Sequence, residues 1–306
     1  MKNFAALTRM RIELTVRNKM FLFFSVVMPF AFFFLYAGIF AKGRPDDVRY
    51  FLGPVIALTV MGSFWGLSAA LVMFREQGIL RRFHVTPVTA SDMLASSIVA
   101  NYFLSLPTVL MELLFAVVFF HVRNIGDVLA LFILVTLGTV SFASMGLVVA
   151  SVTNTMQETQ VLNQMLWLPL IFLSGATFPL AFLPMVVQHI SVFLPATYLV
   201  TALQRAIYFS VSARHLLLDI GALAFWALIT FFVSTQLFRW EPESKIPRKA
   251  KLWAAATAIP FLILGFYENY TGRLVAEAQT AYHSVEKGRD SGAPQQQPHI
   301  QESPRQ

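Results

Sequence analysis

Cysteine is absent from the 306-residue chain, which removes disulfides, cysteine-rich zinc sites and thiol nucleophiles. Charge is scarce: Asp, Glu, Lys and Arg make up 13% of the residues, against about 25% in a soluble domain. No G-x-x-x-x-G-K-[ST] occurs, so the chain has no P-loop with which to bind a nucleotide. H-E-x-x-H and G-x-S-x-G are missing, and the six histidines (84, 121, 189, 215, 283 and 299) show no ligand spacing. No feature argues for a catalytic or metal site, and no cofactor is expected in this chain. The net charge of +7 raises nucleic acid as a partner, but the cations flank apolar runs and form no dense patch, so nucleic acid is set aside.

What the chain has in excess is apolar surface: 57% hydrophobic residues, 30 of the total being phenylalanine. These residues come in blocks long enough to cross a bilayer, and an all-α membrane protein is the expected fold class. Six spans are expected, at about 20–40, 51–74, 93–120, 126–150, 160–175 and 215–238. Roughly 20 residues at about 1.5 Å each cross about 30 Å of hydrocarbon. The fifth run is shorter and holds Pro169. The first run has 21 residues after a 19-residue lead, too long for the core of a signal peptide, so it is expected to be retained. Within residues 1–19, Phe4, Leu7, Met10, Arg11 and Leu14 fall at helical spacing, as in an amphipathic helix lying on the membrane surface.

Basic residues set the orientation. With the N-terminus inside, the inner segments carry Lys2, Arg9, Arg11, Arg17, Lys19, Arg75, Arg81, Arg82, Arg239, Lys245, Arg248, Lys249 and Lys251. The outer segments carry Lys42, Arg44, Arg49, Arg123, Arg205 and Arg214. Thirteen against six favours a cytoplasmic N-terminus and puts residues 74–92 inside. On the outer side, two short apolar pieces at 184–194 and 197–209 form either a re-entrant segment or an interfacial loop. After a basic linker, the 16 apolar residues at 252–267 hold Pro260 and form either a seventh span or an interfacial helix, within a unit at 241–268. Residues 269–306 are a polar tail, expected to be largely disordered from about 284.

Ionisable residues inside a span are the default candidates for function. Glu112 is the one well inside, with Asn101 on the same span; each is read as lining a substrate path or as a structural polar contact. Gly62 and Gly66 form a G-x-x-x-G pattern that permits close helix packing.

Residues 74–92, FREQGILRRFHVTPVTASD, read as one short helix between two spans. Ile79 and Phe83 share a face, Arg81 and Arg82 supply a cationic edge, and Thr86 before Pro87 ends the helix. Thr89 and Asp92 form a capping-box pattern that starts the next span. The stretch REQGILRRFHVTPV resembles the cytoplasmic loop of the type-2 permease family, the membrane subunits of ATP-binding-cassette exporters. The loop there commonly reads R-E-x-G-[ST]-x-[KER]-x-x-x-x-[ST]-P, and Arg75, Glu76, Gly78, Thr86 and Pro87 match it, with Arg82 beside its basic position, while Ile79 departs from the usual Thr or Ser. A second stretch, from NTMQETQ to LQRAI, is similar to the family's fifth span and outer re-entrant segment. It matches at Ser174, Gly175, Phe178, Pro179, Leu183, Pro184, Leu194, Pro195, Thr197 and Tyr198. The likeness covers residues 1–240, and the chain beyond departs from the family's usual end.

The resemblance implies a six-span half-transporter over 20–240 in the inner membrane of a prokaryote. It implies a homodimer or a pair with a related permease chain. It also implies a separate ABC ATPase that supplies ATP and Mg and contacts a coupling helix comprising Arg75, Glu76, Gly78, Arg82, Phe83, Thr86 and Pro87. The Phe- and Leu-rich spans suit an amphipathic or lipid-like cargo, drugs included. Two other readings are an intramembrane enzyme on a lipid-linked substrate, which needs a second polar group beside Glu112, and a passive channel, for which no filter pattern is present.

Overall fold

The computed structural model describes residues 2–291 except 18, 87 and 241–248. Pro87, the basic residues Lys245 and Arg248, and the tail beyond 291 lie outside the described residues. The described chain is helical and holds no strand. Hydrocarbon offers backbone groups no partner, so each apolar run satisfies its own.

The amphipathic lead is α1, Lys2–Arg17. Leu7 and Arg11 are its buried residues, and the Arg11 guanidinium lies 4.3 Å from the Phe74 ring centroid. The helix therefore docks on the bundle through the face that the sequence spacing marked. α2, Lys19–Leu35, continues as one π-helical stretch, Tyr36–Phe40. α3, Pro45–Met61, and α4, Ser63–Glu76, meet at Gly62 and together make a 32-residue span. α5, Ile79–His84, is the short helix of the 74–92 stretch. α6, Ala90–Phe120, starts on the expected capping box: Thr89 Oγ1 accepts from the Asp92 amide at 3.1 Å, and Asp92 Oδ2 accepts from the Thr89 amide at 3.3 Å. α7, Val128–Val152, is capped by Asp127, whose Oδ1 accepts from the Ala130 amide at 2.8 Å. α8 is Met156–Leu173.

α9, Met185–Ser191, and α10, Pro195–Tyr208, meet at 98°. Of the two readings of this segment, the bent, re-entrant-like pair is the one observed. Tyr198 holds the bend, its hydroxyl donating to the Val192 carbonyl at 2.7 Å, and Thr197 donates to the Ser191 carbonyl at 2.6 Å. Gly175, at φ +88°, turns the chain out of α8, and the Tyr36 hydroxyl donates to the Thr177 carbonyl at 2.8 Å. α11 is Leu217–Gln236; α12, Ala250–Ala256, and α13, Ile259–Thr271, follow, and α14 is Arg273–Ser291.

Five helices among the described residues are long and apolar enough to span: Pro45–Glu76, Ala90–Phe120, Val128–Val152, Ala213–Gln236 and Ala250–Thr271. The seventh run is thus of spanning length and composition. The first expected span corresponds to α2 and its π-helical continuation, which run from Lys19 to Phe40. α8 falls outside the five because Gln157, Glu158, Gln160, Asn163 and Gln164 break its apolar run. The polar tail also differs from expectation, since α14 carries it as helix to Ser291. Leu274, Ala278, Ala281 and Val285 recur every three or four residues and are buried, so a mostly polar segment still has one packing stripe.

α3, α7 and α10 form the centre of the core. Close approach of helices around this centre rests on glycines that the sequence pattern did not single out. A Cβ on Gly53 would lie 2.8 Å from the Gln204 amide nitrogen on α10, and one on Gly146 would lie 2.4 Å from the Phe64 carbonyl on α4. Gly62 instead sits at the α3–α4 joint, and Gly66 lines a cleft.

Candidate functional site

Chain direction places α5 and the α7–α8 corner at one end of the bundle, with the re-entrant pair at the other. The α5 element is built by one backbone reversal. Gly78 adopts φ +69°, a conformation in which a side chain is strained, and its amide closes on the Arg75 carbonyl at 3.0 Å. That reversal turns α5 across the end of α4. Leu80 is fully buried, and Ile79 and Phe83 pack partly against the same apolar cluster. Arg81, Arg82 and Thr86 are exposed, and Val85 is 88% exposed. The apolar edge therefore meets the protein's own bundle, and the cationic edge faces away from it. At the far end, the Thr86 hydroxyl donates to the Phe83 carbonyl at 2.6 Å.

Arg75 is turned the other way. It is 1% exposed, so it offers no surface to a docking protein, and its place in the coupling contact is corrected to an internal one. Its guanidinium donates to the carbonyls of Ala150, at 2.9 Å, and Thr153, at 2.5 Å. Arg239 joins it from beyond α11, donating to the Thr153 carbonyl at 2.6 Å and to Asn154 Oδ1 at 3.0 Å. These are the last carbonyls of α7, where positive charge is favourable. Burial lowers the Arg239 pKa and the neighbouring Glu158 counteracts it.

Glu76 completes the joint: its Oε1 accepts from the Met156 amide, the first residue of α8, at 2.8 Å. Thr155 caps the same helix by accepting from the Glu158 amide at 3.1 Å, and Glu158 accepts from the Asn154 amide at 2.7 Å. Two consecutive residues, Arg75 and Glu76, thus fasten the root of α5 to the end of α7 and the start of α8. Deeper in, Asn163 of α8 donates to Ser68 of α4 at 2.7 Å.

The polar residues of α6 do not converge. Glu112 is fully buried and its Oε1 accepts from Thr59 at 2.5 Å, while Oε2 has no partner among the described residues. Neither histidine nor a second carboxylate joins it, and no metal-binding cluster occurs among the described residues. Asn101 lies eleven residues earlier, about 16 Å along the helix. It lines a cleft of about 470 Å³ with Arg11, Gly66 and Gln77. In the re-entrant region, Ser174, Gly175 and Pro179 are buried, whereas Phe178 is 41% exposed. Pro184 and Pro195 start α9 and α10, and both serve as helix starts.

A larger cleft, about 1150 Å³, runs along α8 between α7 and the α12–α13 pair. Val161, Met165, Phe193, Trp226 and Phe261 give it an apolar wall, and Gln157, Glu158 and Lys251 stand at its α5 end. Sequence spacing could not reveal it, since α12 and α13 join α8 only in the fold.

The sequence model of the ABC-2 type transporter family matches residues 2–209. The chain is 29% identical over 159 residues to "Probable multidrug ABC transporter permease YbhS" of Escherichia coli (strain K12), covering 51% of this chain and 42% of that one. It is 32% identical over 105 residues to "Nodulation protein J" of Rhizobium meliloti (strain 1021), covering 34% of this chain and 40% of that one. The chain spans about two fifths of the length of these curated relatives.

Proposed function

The chain belongs to the ABC-2 type transporter family, and from that premise we propose that it is the membrane half-transporter of an ATP-driven exporter. A separate ABC ATPase supplies ATP and Mg and docks on α5. The observation that carries this reading is the division of labour at α5: a cationic edge pointing away from the bundle, and a root fastened through Glu76 to α8. A push on α5 then moves α8, which walls the larger cleft. The α5 end faces the cytoplasm of a prokaryote, as the excess of basic residues there supports.

Two copies of this chain, or this chain and a related permease, pair across α8. Gln157, Gln160 and Gln164 are exposed along that helix beside Val161, Met165 and Leu168. Amide side chains bare to hydrocarbon are costly, so a partner chain and a wet path between the two account for them. An amphipathic or lipid-like cargo, drugs included, fits the apolar cleft with its polar rim.

The test is reconstitution. The chain is expected to co-purify with a P-loop ATPase and to export cargo only with ATP. Full-rate movement by the chain alone in liposomes would sink the reading. Arg82→Glu reverses charge on the exposed edge, and an order-of-magnitude loss of ATPase binding is expected with insertion unchanged. Glu76→Ala is expected to keep the ATPase bound but to separate hydrolysis from export, because it cuts the tie to α8 and leaves the exposed edge in place.

A further inference from the structure

Beyond the family-matched residues, the chain builds a second structure at the end opposite α5. α13 finishes at Gly272, whose φ of +67° turns the chain into α14. Five charged side chains from four helices meet at that turn. Arg273 Nη2 donates to Asp219 Oδ1 at 3.1 Å and to Glu268 Oε1 at 2.6 Å. Arg205 Nη1 reaches Asp219 Oδ2 at 3.2 Å and Glu277 Oε2 at 2.9 Å. Asp219 and Glu268 are fully buried. Burial would loosen the proton of Arg273, but the bonds to Asp219 and Glu268 outweigh it and hold its pKa above the ordinary value.

α14 lies on the re-entrant segment. The rings of Tyr282 and Phe182 meet edge-on with centroids 4.6 Å apart, and Gln279 Nε2 donates to Gln188 Oε1 at 3.4 Å. From α13, Asn269 donates to the His189 carbonyl at 3.1 Å. The apolar stripe of α14 is narrow, with alanine at two of its four buried positions. A buried ion network is seldom the most stable way to fix a helix, and its best-attested use is to specify one arrangement among alternatives.

We propose that α14 is a built-in cap over the re-entrant segment, latched by Arg205, Asp219, Glu268, Arg273 and Glu277, and that cargo release requires the latch to open. The role in release rests on the transport reading; the opening of the cap does not.

The chain's lack of cysteine makes engineered thiols clean reporters. Ala278 is on the buried face of the cap helix and is 7% exposed. In the full chain in membranes, Ala278→Cys is expected to react slowly with a membrane-impermeant maleimide, and adding Arg273→Ala is expected to speed labelling about 10-fold. Equal rates, with both proteins monodisperse in detergent, would overturn the latch. In a second arm, Phe182→Cys and Tyr282→Cys are joined by a short bis-methanethiosulfonate. Bridging is expected to cut export about 10-fold and reductant to restore it. Export untouched by complete bridging would overturn the role in release. If the unbridged protein exports nothing while labelling still responds to Arg273→Ala, the transport reading falls and the latch stands.

Discussion

Arg75→Ala is expected to destabilise the chain by about 2–4 kcal/mol, read as a lower midpoint of heat-induced aggregation in detergent. The expectation follows from where the α7 carbonyls find partners. Asn154, which would close the last turn onto Ala150, gives its amide to Glu158 instead. The Ala150 carbonyl is thus left to Arg75. Truncation strands that carbonyl in a buried setting and empties the volume of a long side chain. The Thr153 carbonyl keeps Arg239, so the loss is not doubled. Arg75→Lys, which can reach one carbonyl, should recover about half of the effect, and Arg75→Met, which fills space without a donor, should recover less. An unchanged midpoint in Arg75→Ala would show that Arg239 alone holds the corner.

Arg75 and Arg82 also show how far the sequence could be read. Both lie in the stretch that resembles the family's loop, seven positions apart, and α5 was recognisable from Gly78, the Ile79–Phe83 pair and the Thr89–Asp92 capping box. What could not be read was their opposite facing. The left-handed turn at Gly78 breaks the helical period, so the face of α4 that carries Arg75 does not predict the face of α5 that carries Arg82. Most spans were legible because each is a single run. α8 was visible only as a short run, since its glutamines interrupt the pattern on the side that the proposed partner chain covers. The latch residues lie between positions 205 and 277, and of them only Arg273 and Glu277 stand at a helical i, i+4 spacing. Only the packing of α10, α11, α13 and α14 brings them together. One alternative left open by sequence was separated by geometry: α9 and α10 bend as a re-entrant-like pair. Glu112 meets Thr59, with no acid–base partner beside it among the described residues.

Glycine gives the sharpest contrast between pattern and contact, and a second large effect follows from it. Gly146→Ala is expected to cost about 2–3 kcal/mol. The new Cβ would stand 2.4 Å from the Phe64 carbonyl, and both groups belong to fixed backbone, so α4 and α7 must part. Gly221→Ala is the control: it lies in exposed helix with nothing within 4 Å, and should be neutral or stabilising by up to about 1 kcal/mol. Parting α4 from α7 also separates Arg75 from its acceptor, because Ala150 is one turn beyond Gly146 on the same helix. The two substitutions should therefore interact. The Arg75→Ala, Gly146→Ala double variant is expected to lose about 1 kcal/mol less than the sum of the single losses. Strict additivity would mean that the corner and the helix contact are independent. It would then leave the Glu76 and Ser68 contacts to carry a movement of α5 to α8.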